Sequence, residues 1–555
     1  MNIDVENFRN RRNDQRWNRM AVGDIIERIT WATPDKDCLI ATPDATVNPA
    51  HARLTYRQAN DLINRIANAL LALDLPEAAR IGMLVENSNE AWLSKVAIAK
   101  AGLVAVPVNT MMAPDVITDA LERLDATKLI ADKVQYEKLG DAARAAGSVP
   151  IMLVGGEDGG EIPSFDDFIA DHGAEEPDVT IHSDDVWEVL FTSGTTAKPK
   201  AAMISHTYTY MAAMGQLANV TRGLEQPTDL RMATFTPMTF HIGDQILMFA
   251  PLLAGGTVIM GRKPDGHVMA KACTQEAVTY LWGGSPQFVE SMIRACEETP
   301  LAYDLTSVRS MSYGWAPMSP GSLAKLTRLC APDFAAYELI GQTECVPCHC
   351  FHINRNRDLF LRTAPAVNYV GRPVTILGAT VMDQEGNDLW GQPDVEGEAV
   401  YRSPAMFSGY YNDRKATEES LKGGWFHSGD SFKFDAEGNR IMVDRYKDIV
   451  KSGGENVSSI RVEAVLQQHP AVARAAVVGT PDDRWGEMVT ACIIANAGKS
   501  IDEQDIIAFC RERLAGFETP KKIVVMEAFP ETVGGKILKY KLRTQLAEQT
   551  QQAAE

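Results

Sequence analysis

The strongest constraint on this chain is the rhythm of its first quarter. Residues 56–73 carry apolar side chains at helical spacing (Ala59, Leu62, Ile63, Ile66, Leu70), and residues 80–85 form a short apolar run suited to a buried strand. Residues 88–101 are helical again, with Ser88 placed to cap the start and Gly102 just past the end. Residues 104–108 read as strand, 113–124 as helix and 128–131 as strand. Strand and helix alternating at this period predict parallel sheets layered with helices, an α/β fold. The chain has 555 residues. At roughly 100–200 residues per domain this predicts about three to five structural units.

The texture then changes along the chain. Residues 155–185 are acidic and rich in Gly, Asp and Glu, and read as a surface connection. A second α/β stretch spans about residues 203–331. After Gly371, short apolar runs separated by turn residues (383–388, 435–439) predict a mainly β subdomain. From about residue 447 the chain reads as a small α/β unit with its own apolar runs. Residues 245–260 are the longest apolar stretch, but Gly255 and Gly256 interrupt it, so a buried helix followed by a strand is expected rather than a membrane span. The first twenty residues mix both charge signs without an apolar core, unlike a secretory leader. Nine cysteines in this length fit reduced thiols in a cytoplasmic protein. The net charge of −19 repels nucleic acid at long range, so no nucleic-acid partner is expected. An anionic ligand must then be held by local cations or backbone amides.

The segment LFTSGTTAKPK, residues 190–200, supplies both. Small residues let the backbone approach a phosphate, hydroxyl and amide groups donate to its oxygens, and lysines compensate its charge. It is not a Walker A loop, which requires GxxxxGK[ST]. A basic tail adds to this: residues 519–543 carry six basic and two acidic residues, or +4 in a chain of −19.

The loop resembles the TSGTTGxPK signature of the acyl-adenylate-forming superfamily, which comprises acyl-CoA synthetases, peptide-synthetase adenylation domains and firefly-type luciferases. Ala197 replaces the second Gly. IGQTE (340–344) resembles that family's YGxTE, WFHSGD (425–430) its WxxTGD, DRYKDIVKSGGENV (444–457) its DRxKDxIxxxGENV, and GGKILKYKLR (534–543) its GKIxRxxLR. The likeness runs from about residue 18 to 546. It implies a large domain, residues 1–446, of layered α/β sheets with a β-rich subdomain, and a small mobile α+β domain, residues 447–555, hinged at Lys447.

The resemblance also implies roles. Thr192, Ser193, Gly194, Thr195, Thr196 and Lys200 would bind the phosphates of ATP. Thr343 would contact the α-phosphate and Glu344 would hold Mg²⁺, a carboxylate being the right ligand for a hard cation. Asp430 and Arg445 would reach the ribose, and Ile340, where an aromatic is usual, would hold adenine by apolar contact. Glu338 falls where an amide residue often sits near the adenine amino group; an ionised carboxylate could accept from it, and a surface glutamate is the alternative. Lys536 would be the catalytic lysine. Gly453 and Gly454 would line the pantetheine path of CoA. The acyl pocket would be lined by His241, the turn 283–287, Gly314, Trp315 and Ala316. Here the chain reads GWAP in place of GGAP, so an indole would favour a short or compact acid unless Trp315 turns into the core.

One pattern points elsewhere. Cys345-Val-Pro-Cys348-His349 matches the haem-attachment spacing, and Cys350 and His352 extend it. Buried thiols on a core strand are the expectation, because a closed metal cage there would compete with Mg²⁺ at Glu344. The chain is therefore expected to be a carboxylic acid:CoA ligase using Mg-ATP through an acyl-AMP, with a homodimer as an open possibility. Loading of a carrier protein is the alternative. A luciferase-like oxygenase and a non-catalytic nucleotide binder are more distant readings, and Lys536, Glu344 and Asp430 all speak against the last.

Overall fold

A computed structural model of the chain describes residues 19–192, 199–221, 230–482, 484–532 and 535–554. Ser193, Gly194, Thr195 and Thr196 lie outside these residues. The expected alternation is present: a helix over Tyr56–Leu71, a strand over Arg80–Leu84, a helix over Asn89–Lys100 and strands over Val104–Pro107 and Lys128–Asp132. Ser88 caps its helix by accepting from the amide of Ala91 (3.1 Å), and Gly102 takes φ +70°, which a side chain would strain.

Among the described residues, the strands form three sheets. The first has six strands in the order Val149–Val154, Lys128–Asp132, Arg80–Leu84, Val104–Pro107, Val186–Phe191 and Ala201–Ser205, parallel except for the last. The second has thirteen strands. Asp37–Ala41, Thr257–Met260, Arg231–Thr234, Tyr280–Trp282, Ser310–Tyr313 and Ala335–Gln342 run parallel. From Cys345–His352 onward, pairing is antiparallel through Tyr369–Pro373, Arg440–Arg445, Phe426–Phe434, Gly397–Arg402 and Gly378–Met382. This is the β-rich texture expected after Gly371. The third sheet lies wholly within Val450–Val525, dominated by the long hairpin of Val472–Asp482 and Gly486–Ala495.

The apolar stretch resolves as expected into a helix, Phe249–Leu253, and a strand, Thr257–Met260, both buried. No helix of the described residues is long and apolar enough to cross a membrane. All nine cysteines are buried and none is in a disulfide. Cys345, Cys348 and Cys350 sit on the core strand Cys345–His352, and no group of three or more His, Cys, Asp or Glu among the described residues could hold a metal ion.

The two larger sheets meet around a fully buried ionic cluster. The Lys95 ammonium touches the carboxylates of Glu188 and Asp244, and donates to the carbonyl of Met238 (2.8 Å). Gln245 donates to the second Glu188 oxygen (2.8 Å), and the Trp92 indole to Asp244 (3.3 Å). Satisfied on so many sides, the three charges tolerate an apolar setting that would otherwise exclude them. They fix the start of the segment that carries His241.

Candidate active site

Ligands of open α/β sheets bind outside the carboxyl ends of the strands, where the topology changes direction. In the large sheet that place is the end of Ala335–Gln342, where parallel pairing gives way to antiparallel. Thr343 and Glu344 sit there, both buried. The Thr343 carbonyl accepts from Tyr208 (3.1 Å), and its hydroxyl lies 3.2 Å from His241 Nδ1. Burial, with the Lys536 charge adding to it, drives His241 down to about 3, so its imidazole is neutral at neutral pH. Tyr410 donates to Glu344 Oε1 (2.6 Å), and Lys200 Nζ stands 4.5 Å from the Tyr410 ring centre. Tyr410 thus joins a carboxylate to a cation, a link that no local motif announced.

The antiparallel half contributes Asp430 and Arg445, directly paired across neighbouring strands. Asp430 is 2 % exposed. Its Oδ2 accepts from Gln342 (2.7 Å), while its Oδ1 has Arg445 Nε at 3.3 Å and no hydrogen bond. A buried carboxylate oxygen left in this way suits a ligand hydroxyl. Burial raises the Asp430 carboxyl, and Arg445 opposes that.

Lys536 reaches this site from the other side of the chain. The amide of Gly535 donates to the carbonyl of Thr532 (2.8 Å), and that of Lys536 to the Thr532 hydroxyl (3.1 Å). Burial, then the charges of Arg445 and Lys447, lower the ammonium to about 7, and Asp430 partly offsets them. Lys536 therefore lies within electrostatic reach of Asp430, Arg445 and His241. Lys447 is exposed, and its carbonyl accepts from Arg543 (3.1 Å).

Glu338 is neither exposed nor ionised as the sequence reading had it. It is 4 % exposed, its Oε2 accepts from Tyr313 (3.0 Å), and burial pushes it up to about 8. At neutral pH it is mostly the protonated acid, able to donate as well as accept. Of the residues expected in the acyl pocket, Trp315 lines a cleft with Phe235, Thr236, Trp282, Gly284 and Phe288. Its ring meets Trp282 edge-on, centroids 5.6 Å apart. Trp315 takes φ +68°, the left-handed region, at a cost of roughly 1–2 kcal/mol for a residue with a Cβ. Gly314 packs beneath the Trp282 ring, His241 stands at Thr343, and Ala316 is exposed. Gly453 and Gly454 are exposed at a hairpin tip with φ +64° and +89°; Gly453 lies against Trp485, and a Cβ on Gly454 would meet nothing. Thr192 donates its amide to the carbonyl of Lys200 (2.9 Å), closing the base of the Ser/Thr/Gly loop.

A carboxylate at a strand switch point, a second buried carboxylate and a lysine from the segment that follows the third sheet make up the candidate site. The model of the AMP-binding enzyme family matches residues 27–411, and that of the AMP-binding enzyme C-terminal domain matches residues 461–536. A feruloyl-CoA synthase of Amycolatopsis sp is 32% identical over 90% of this chain and 96% of its own. The long-chain-fatty-acid–CoA ligase FadD13 of Mycobacterium tuberculosis is 30% identical over 94% and 99%. The crystal structure of ATP-bound MatB from Rhodopseudomonas palustris superposes with a TM-score of 0.80 at 24% identity, covering 94% of this chain and 98% of that one. The chain belongs to the AMP-binding enzyme family and is an acyl-CoA synthetase of the acyl-adenylate-forming superfamily.

Proposed function

We propose that the chain is an AMP-forming carboxylic acid:CoA ligase acting on a short or compact acid. A carboxylate is a poor acylating agent because oxide would have to leave. Attack of its oxygen on the α-phosphorus of ATP expels pyrophosphate and gives acyl-AMP, whose leaving group is good. Attack of the CoA thiolate on the acyl carbonyl then expels AMP and gives the thioester. The observation that carries this reading is the meeting of Lys536 with Asp430, Arg445 and His241, since two anions approach only where positive charge is preorganised. CoA as acceptor draws support from the relatives that span the chain, each named a CoA synthase or ligase.

Each residue then has a task. Asp430 and Arg445 hold the ribose, and Thr192, Ser193, Gly194, Thr195, Thr196 and Lys200 hold the phosphates. Tyr410 occupies one oxygen of Glu344 and leaves the other for Mg²⁺, which binds through one or two carboxylates plus substrate phosphates and water. Mg²⁺ there supplies charge neutralisation on the phosphates. After adenylation, residues 447–555 turn about Lys447 and present Gly453 and Gly454 to the pantetheine arm. Nine unbridged thiols suit a cytoplasmic setting. Mass spectrometry of an acid panel with Mg-ATP, with and without CoA, tests the whole reading: acyl-CoA and AMP are expected. A stalled acyl-AMP in the presence of CoA, or no AMP at all, would overturn it.

None of the described side chains around the cleft is charged, and four are aromatic, which disfavours a second carboxylate on the acid. Replacing Trp315 with glycine removes a wall and relieves the left-handed strain. Its kcat/KM for longer acids is expected to rise by about tenfold, with no loss of thermal stability. An unchanged chain-length profile would show that the indole sets no limit.

The lowered Lys536 predicts a proton linkage. Below pH 7 the free enzyme holds this ammonium charged; above pH 7 it is mostly neutral. Nucleotide phosphates favour the charged form, so binding at pH 8 takes up a proton, and binding at pH 6 takes up none at this group. Calorimetry of a non-hydrolysable ATP analogue in buffers of different ionisation enthalpy measures this directly. The uptake at pH 8 should vanish in Lys536→Ala.

A further inference from the structure

The turn that walls the acyl cleft also touches the loop that delivers Lys536. Ser285 and Gln287 follow Gly283 and Gly284 on this turn. A Cβ placed on Gly535 would lie 2.2 Å from Gln287 Nε2 and 2.9 Å from Ser285 Oγ, so the backbone beside Lys536 rests on these two side chains. Ser285 precedes the helix Pro286–Glu298, yet its hydroxyl does not cap it. That hydroxyl is buried, with Ser285 5 % exposed, and it has no hydrogen-bond partner among the described residues. A serine at this position normally spends its oxygen on the helix; here the oxygen is kept for what lies over the turn. The turn is further tied to the Trp315 segment, because the Gly284 carbonyl accepts from the amide of Gly314 (3.0 Å).

We propose that Ser285 and Gln287 are positioning residues that seat Gly535 and so aim Lys536 into the cleft during adenylation. The proposal rests on the ligase reading above. It explains why glycine is needed at 535: φ there is +83°, and any side chain would enter the Gln287 amide.

The test uses the full-length enzyme and an acid it activates, with the two half-reactions measured apart. Pyrophosphate release reports adenylation; acyl-CoA formed from synthetic acyl-AMP and CoA reports transfer. Ser285→Ala and Gln287→Ala are expected to slow pyrophosphate release through kcat by roughly 10- to 100-fold, as a displaced catalytic group does, while KM for ATP and the transfer step stay near wild type. Gly535→Ala is expected to slow pyrophosphate release as well, and Gln287→Ala in the same chain to recover part of the loss. Backbone strain at residue 535 alone would not be relieved by shortening Gln287, so recovery identifies the contact. Wild-type pyrophosphate release in both single variants would overturn the proposal, as would losses at 535 and 287 that simply multiply. Equal slowing of both half-reactions would also overturn it, because it would mark a general structural defect. A wild-type enzyme that releases no pyrophosphate with any acid would instead sink the ligase reading itself.

Discussion

Lys536→Ala is expected to lower the rate of acyl-AMP formation by about 10²–10³-fold, the scale seen when one preorganised donor is removed from a developing anion. The reason is electrostatic. The acid and the α-phosphate repel, and the ammonium is the charge that the segment after the third sheet brings within electrostatic reach of Asp430, Arg445 and His241. The loss should fall on kcat of pyrophosphate release, with transfer from synthetic acyl-AMP to CoA spared. Rapid-quench measurement of the two steps checks this. Equal adenylation rates for wild type and variant would remove the lysine from the chemistry.

Glu344→Gln is expected to weaken the apparent Mg²⁺ affinity by about 10–100-fold and to lower adenylation to match. The substitution preserves shape and leaves an oxygen able to accept from Tyr410. What disappears is one negative charge, so the effect isolates the cation's ligand from the packing around it. Titration of activity against free Mg²⁺ at saturating ATP reads the change. An unchanged Mg²⁺ dependence would place the cation elsewhere.

Much of the fold was legible because it is written in local periodicity. The strand–helix alternation of residues 56–131, the Ser88 cap and the change of texture after Gly371 all depend on neighbours within a few positions. How the strands distribute was not legible. Asp37–Ala41 pairs with Thr257–Met260, more than two hundred residues away, and no local pattern encodes such a pairing. The site divides in the same way. Thr343, Glu344, Asp430, Arg445 and Lys536 stood out through short motifs. Their supports did not: Tyr410 is 66 residues from Glu344, Gln342 is 88 from Asp430, and Tyr313 is 25 from Glu338. The burial of Glu338, which rules out the surface alternative and raises its carboxyl, was not visible in the sequence. The direction of Trp315 was likewise open until its φ of +68° turned the ring toward the cleft.

The buried cluster of Lys95, Glu188 and Asp244 decides how this pocket can be remodelled over generations. Losing Lys95 would leave the buried carboxyl groups of Glu188 and Asp244 without their cation, a penalty of about 3–5 kcal/mol. Natural drift and laboratory libraries alike will find the packing around Lys95 and the Met238 carbonyl frozen. New specificities should arise instead around Trp315, where exchange to a smaller residue relaxes the chain rather than wounding it.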